Sequence, residues 1–112
     1  MIVHAKDCKE EILPNGVKRV IKGYIDDLML VELIWQKGMA GAIHRHPHRQ
    51  AGYVVKGSFE VEEAGGKKTV CRAGDCYYTL ADEPHGAVAL EDGSVLLDIF
   101  TPMRKDFIEP QS

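Results

Sequence analysis

The chain has 112 residues, 45% hydrophobic and 28% charged, with a formal net charge of −3. That length provides for one domain spanning residues 1–112, burying roughly two thirds of the surface its unfolded chain exposes. The slightly acidic balance gives no broad basic face, which speaks against nucleic acid or an anionic membrane as the main partner. No apolar run approaches the roughly 18 residues of a membrane span. The N-terminal Met1-Ile2-Val3-His4-Ala5-Lys6 lacks the apolar stretch of a secretory signal, so a cytoplasmic protein is expected.

In chain order the punctuation is that of an all-β protein. Turn signals fall at Pro14-Asn15-Gly16, Gly65-Gly66, Ala73-Gly74-Asp75 and Glu91-Asp92-Gly93. Between them, residues 17–24, 28–36, 51–56, 58–64, 67–71, 76–79, 86–90 and 95–100 are rich in Val, Ile, Leu, Tyr and Phe and predict strands. Phe59-Glu60-Val61-Glu62 alternates apolar with acidic, as a strand with one wet face does. No window sustains a helical stripe over three turns. Many short strands with frequent turns predict a sandwich or barrel. Cys8, Cys71 and Cys76 are odd in number and lack CxxC spacing, so neither a disulfide framework nor a zinc knuckle is expected, and reduced, buried thiols are.

Three of the five histidines, His44, His46 and His48, fall within one short segment. Imidazole is the commonest protein ligand for first-row divalent metals. Residues two apart on a strand share a face, so His44 and His46 can aim at one point. A histidine-rich surface loop would look the same locally, so the frame around the cluster has to decide. Pro47 interrupts strand alternation, and parity cannot place His48, for which a supporting or surface role is the expectation.

A second constellation lies in Leu97-Asp98-Ile99-Phe100-Thr101-Pro102-Met103-Arg104. On a strand Asp98 and Phe100 share a face. If that face is the interior, a carboxylate enters the core near the metal, where burial and a cation shift its pKa in opposite directions. Arg104 follows on a segment that could fold over the barrel mouth, with a guanidinium fork suited to a carboxylate. The plainer alternatives are an exposed strand acid, a core phenylalanine and a solvated arginine.

The frame around the histidines resembles the first cupin motif, in which a glycine is followed by His-x-His, usually a glutamate, and a second glycine. Gly38, His44, His46 and Gly57 are in register, with Gln50 in the glutamate position. The second cupin motif is matched at Gly74 and His85, whereas Leu80, Asp82 and Ala89 replace its usual Pro, Gly and Asn. The resemblance implies a double-stranded β-helix, or jelly-roll barrel, with His44, His46, Gln50 and His85 converging on one divalent metal. Nickel, zinc, iron and manganese all suit such ligands. A neutral carboxamide in place of a carboxylate leaves the full dipositive charge to polarise substrate oxygens, which favours Lewis-acid chemistry over oxygen activation.

His-x-His-Pro-His-x-Gln-x-Gly-Tyr-Val, taken with Leu-Asp-Ile-Phe-Thr-Pro-x-Arg-x-Asp-Phe, is similar to the small KdgF-type cupins of pectin and alginate degradation. Arg49, often acidic in such proteins, and Met103, often proline, depart from the pattern. This closer resemblance implies an isomerase that opens 4,5-unsaturated uronates and ketonises them to linear sugars. Asp98 would be the general acid/base, Arg104 the carboxylate clamp and Phe100 the packing surface for the sugar. The alternatives are an iron-dependent cupin dioxygenase and a non-enzymatic sugar-binding cupin. A homodimer is expected, as is common among cupins, with edges paired through Met1-Ile2-Val3 and the run 28–35.

Overall fold

The structure, a computed structural model, describes residues 1–108. After a 3-10 turn at Ala5–Asp7, ten strands follow: β1 Glu10–Ile12, β2 Lys18–Ile25, β3 Leu28–Trp35, β4 Ala40–His44, β5 Arg49–Lys56, β6 Ser58–Glu62, β7 Lys68–Arg72, β8 Cys76–Thr79, β9 His85–Ala89 and β10 Ser94–Thr101. A single-turn helix α1, Lys105–Ile108, comes last. One antiparallel sheet has the order β1-β2-β3-β10-β5-β8 and the other β4-β9-β6-β7. All eight strand runs expected from composition are present, and the two packed sheets form the expected jelly roll.

Strand β10 shows why the sheets close on each other. Ser94, Leu96, Asp98 and Phe100 are buried while the residues between them are only half-buried, the period-2 pattern of a strand with one face to the core. It lies between β3 and β5, pairing along its length with both. Trp35, Val54, Phe59, Val61 and Leu96 fill one end of the interior, with Trp35 and Phe59 meeting edge to face at 5.4 Å. Met29, Val31 and Phe100 form a second cluster, against which Met103, Phe107 and Ile108 pack. Full burial of side chains such as Phe59 contributes about 1.5–3 kcal/mol each.

Strands β1 and β4 were not expected. In β1 only Ile12 is apolar, and its order comes from pairing with β2 and from the Arg19–Glu11 contact at 2.9 Å. In β4 the small residues Ala40, Gly41 and Ala42 carry little β propensity. The glycine serves packing, because a Cβ at Gly41 would sit 3.3 Å from the Trp35 ring. Three expectations are corrected. Strand β4 ends at His44, so His46 lies outside it rather than sharing its face. Strand β3 is flanked by β2 and β10 and offers no free edge to a second copy. Of the thiols only Cys71 is buried; Cys8 is half-buried and Cys76 exposed, and all three are free.

Gly57 joins β5 to β6 at φ +78°, where a Cβ would land on the Ser94 hydroxyl and 2.9 Å from the Ser94 backbone. Both the backbone conformation and the space exclude a side chain. Gly57→Ala is therefore expected to destabilise the fold by about 3 kcal/mol or more, read as a fall in urea midpoint at unchanged slope.

Candidate metal centre and cavity

The antiparallel pairing of β4 and β9 sets His44 directly opposite His85. Their ring centroids are 4.5 Å apart, and His46, from the segment after β4, closes the group at 5.5 and 4.9 Å from the other two. One nitrogen from each ring lies within 4.8 Å of the others, close to the roughly 4 Å span of ligands held at about 2.1 Å from one ion. Gln50 reaches in from β5 of the opposite sheet, and its Oε1 lies 3.1 Å from His46 Nε2 and 3.2 Å from His85 Nε2.

The hydrogen bonds fix how these rings face one another. His44 Nδ1 donates to the Ala42 carbonyl at 2.8 Å, and His85 Nδ1 to the Glu83 carbonyl at 2.9 Å. A carbonyl only accepts, so in each neutral ring the remaining Nε2 is bare. His85 Nε2 then opposes Gln50 Oε1, lone pair against lone pair, at about the spacing of neighbouring ligands on one cation. Burial lowers the His46 pKa to about 4, with help from the charge of Arg104, and it lowers His85 as well, which favours the neutral form of both rings. An imidazole whose second nitrogen is held by a carbonyl, as in His44 and His85, suits a divalent transition metal, while His46 has no such carbonyl among the described residues and its buried Nδ1 is unpartnered there. The three histidines are thus positioned to bind such a metal.

Beside this centre lies a cavity of about 220 Å³, lined in part by His44, Gln50, Tyr77, His85, Asp98, Phe100 and Arg104. Asp98 points inward from β10 and is 4% exposed, and its Oδ1 has no hydrogen-bond partner. Burial raises its pKa to about 7, opposed by hydrogen bonds from Gln50 and Tyr77 and by the charge of Arg104. Phe100 packs its ring against His46 at 5.7 Å and against Phe107 at 5.7 Å. Arg104 stacks on Phe107 at 4.2 Å, and its Nε and one terminal nitrogen hold Asp106 at 3.1 and 2.8 Å. That leaves the far side of the guanidinium fork for another acceptor. The Arg19 guanidinium also lies over the Phe107 ring, at 4.0 Å, and it too lines the cavity.

The raised Asp98 pKa has a consequence for stability. In the unfolded chain the carboxyl ionises near 3.8, whereas in the fold it stays protonated to about 7. The Asp98 contribution to stability is therefore fully present below about pH 4 and is lost as pH rises toward 7. Asp98→Asn removes this loss, so its melting temperature relative to the native chain is expected to climb between pH 4 and pH 7. Parallel thermal melts without metal check it.

Each site residue expected from the sequence now has a place. His44, His46, Gln50 and His85 come together, and Asp98, Phe100 and Arg104 lie beside them in the same interior. His48 is outside the three converging nitrogens but stays beside them, its ring 5.4 Å from that of His46 and 6.5 Å from Phe100, with a hydrogen bond to the Met103 backbone. Two cavity residues, Tyr77 and Arg19, escaped the sequence reading. Gly52 was the available signal for Tyr77, since a glycine inside a strand marks a close approach.

Comparison with known proteins agrees with this geometry. Residues 31–100 match the cupin domain family. The chain is 46% identical over 99 residues to the pectin degradation protein KdgF of Dickeya dadantii, covering 88% of this chain and 89% of that protein. The KdgF structure from a Halomonas species superposes with a TM-score of 0.89 at 36% identity, covering 96% of this chain and 99% of that one. An RmlC-like cupin from Shewanella frigidimarina gives 0.88 at 36% identity, with coverages of 95% and 94%. With a relative this close along nearly its whole length, and with the barrel and histidine cluster in place, the chain belongs to the KdgF family of cupins.

Proposed function

We propose that this protein opens 4,5-unsaturated uronates, the monosaccharides released by polysaccharide lyases, and ketonises them to linear 4-deoxy-5-keto uronates. The observation that carries the reading is one cavity joining a three-histidine centre to a buried carboxyl and a guanidinium. In the substrate the hemiacetal hydroxyl loses a proton and its carbon releases the ring oxygen, leaving an enolate. Delivery of one proton to the vinylic carbon gives the ketone. One proton leaves and one arrives, so the product is an isomer and no oxidant is consumed. A single acid/base group suffices.

Asp98 fills that role, taking the hydroxyl proton and returning one to carbon. Arg104 receives the substrate carboxylate on the side of its fork that Asp106 does not occupy. Phe100 packs against the sugar and holds the ring of His46. His44, His46, His85 and Gln50 would hold one divalent ion, which would supply positive charge to polarise substrate oxygens and stabilise the enolate. The same reading places the enzyme in the cytoplasm and allows either pectin or alginate as the source of uronate. It also expects a homodimer, assembled through the exposed Met1 and Ile2 and checked by light scattering.

The reaction class is tested by the product. Incubation with an unsaturated uronate in D2O is expected to give a product of unchanged composition apart from deuterium at carbon, with no oxygen uptake. Oxygen consumption, or a product heavier by oxygen, would instead mark a dioxygenase. Stoichiometric sugar binding without turnover would mark a binding protein.

A further inference from the structure

Tyr77 lies across β5 from Asp98. The ladder aligns Tyr77 with Gly52, and Gly52 with Asp98. Two strand spacings of about 4.8 Å separate β8 from β10, so a short aspartate meets a side chain of β8 only if that side chain lies flat across the middle strand. Gly52 permits it. A Cβ there would fall on the Tyr77 ring, 2.7 Å from its hydroxyl. The phenol is thereby carried over bare backbone to the floor of the cavity. Its hydroxyl donates to Asp98 and accepts from Gln50 Nε2 at 3.4 Å.

These bonds bear on the metal centre. A carboxamide has two ends of equal size, and only its oxygen can ligate. Facing the bare Nε2 of His85, the amide NH2 would make the better hydrogen bond and the wrong ligand. A group behind Gln50 has to draw the NH2 away. Asp98 accepts the hydrogen of Tyr77, so that hydroxyl turns its lone pairs to Gln50, whose NH2 also donates to Asp98 itself.

We propose that Tyr77 is a positioning residue, whose hydroxyl, backed by Asp98 and admitted by Gly52, fixes the Gln50 carboxamide with its oxygen toward the three histidines. The inference rests on the metal-dependent reading above, but its test uses no substrate, so failure of the proposed reaction would leave it standing.

The full-length chain, stripped of metal, is titrated with Zn2+ against a chromophoric chelator. Native protein, Tyr77→Phe, Gln50→Ala and the double variant are compared, with thermal melts to establish that each is folded. Tyr77→Phe is expected to weaken zinc about 10-fold, the lower end of what losing a supporting group costs a metal site. With Gln50 already truncated, the same change should cost nothing further. Gly52→Ala, which displaces the ring and keeps the hydroxyl, is expected to show the same loss and the same dependence on Gln50. Unchanged zinc affinity in Tyr77→Phe would overturn the proposal. So would an equal loss with and without the Gln50 side chain, since that would mean a merely structural role.

Discussion

Asp98→Asn is expected to lower kcat by about two to four orders of magnitude while the protein still binds one metal ion per chain. The amide keeps the shape of the carboxyl and loses its ability to carry a proton. Asp98 is inside the cavity, 4% exposed, with one oxygen free of any hydrogen bond. In the proposed reaction it is the group that would exchange a proton with the sugar. Elemental analysis and steady-state rates on the same sample separate the two properties. Near-native turnover in this variant would remove Asp98 from the mechanism.

His46→Ala should act one step earlier, abolishing metal binding and turnover together. His46 is 6% exposed, lies within ligand distance of Gln50, and meets both other rings of the cluster. Removing a ligand outright should cost more than the about 10–100-fold in affinity that follows loss of a supporting group. Zinc titration and the rate at saturating metal check it. Restoration of the rate by excess metal would mean that His46 strengthens binding but is not needed for the reaction.

Much of this site could be read from the sequence because its parts sit in short, patterned segments. The spacing of Gly38, His44, His46 and Gly57 carried the cupin resemblance, and strand parity set Asp98 and Phe100 on one face, where both are now buried. His44 and His46 converge as strand parity predicts, but not because they share a strand. Their rings do meet at 5.5 Å, but β4 stops at His44 and the chain beyond it brings His46 inward. Strand β1 escaped because its order comes from pairing with β2 and not from its own residues. Cys76 was expected inside, yet it begins β8, an edge strand, and is exposed.

Tyr77 was illegible for a related reason. It reads as one more aromatic in a strand, and its contact with Asp98 depends on the order β10-β5-β8 and on a glycine in the strand between them. Arg19 belongs to the same class. It looks like a surface cation on β2 until α1 folds back and sets Phe107 between it and Arg104. Motif spacing reports ligands, whereas the groups that support them come from strands distant in sequence and become visible only once the register is known.

The most direct test of the central claim follows the conjugated enol-ether absorbance of 4,5-unsaturated galacturonate, and of the uronate derived from guluronate, with metal-loaded protein. The spontaneous rate and a chelator-stripped sample serve as references. Acceleration that needs the metal, with the better of the two sugars indicating the polymer, is the predicted result. No acceleration above the spontaneous rate with the metal fully loaded would contradict the proposed reaction.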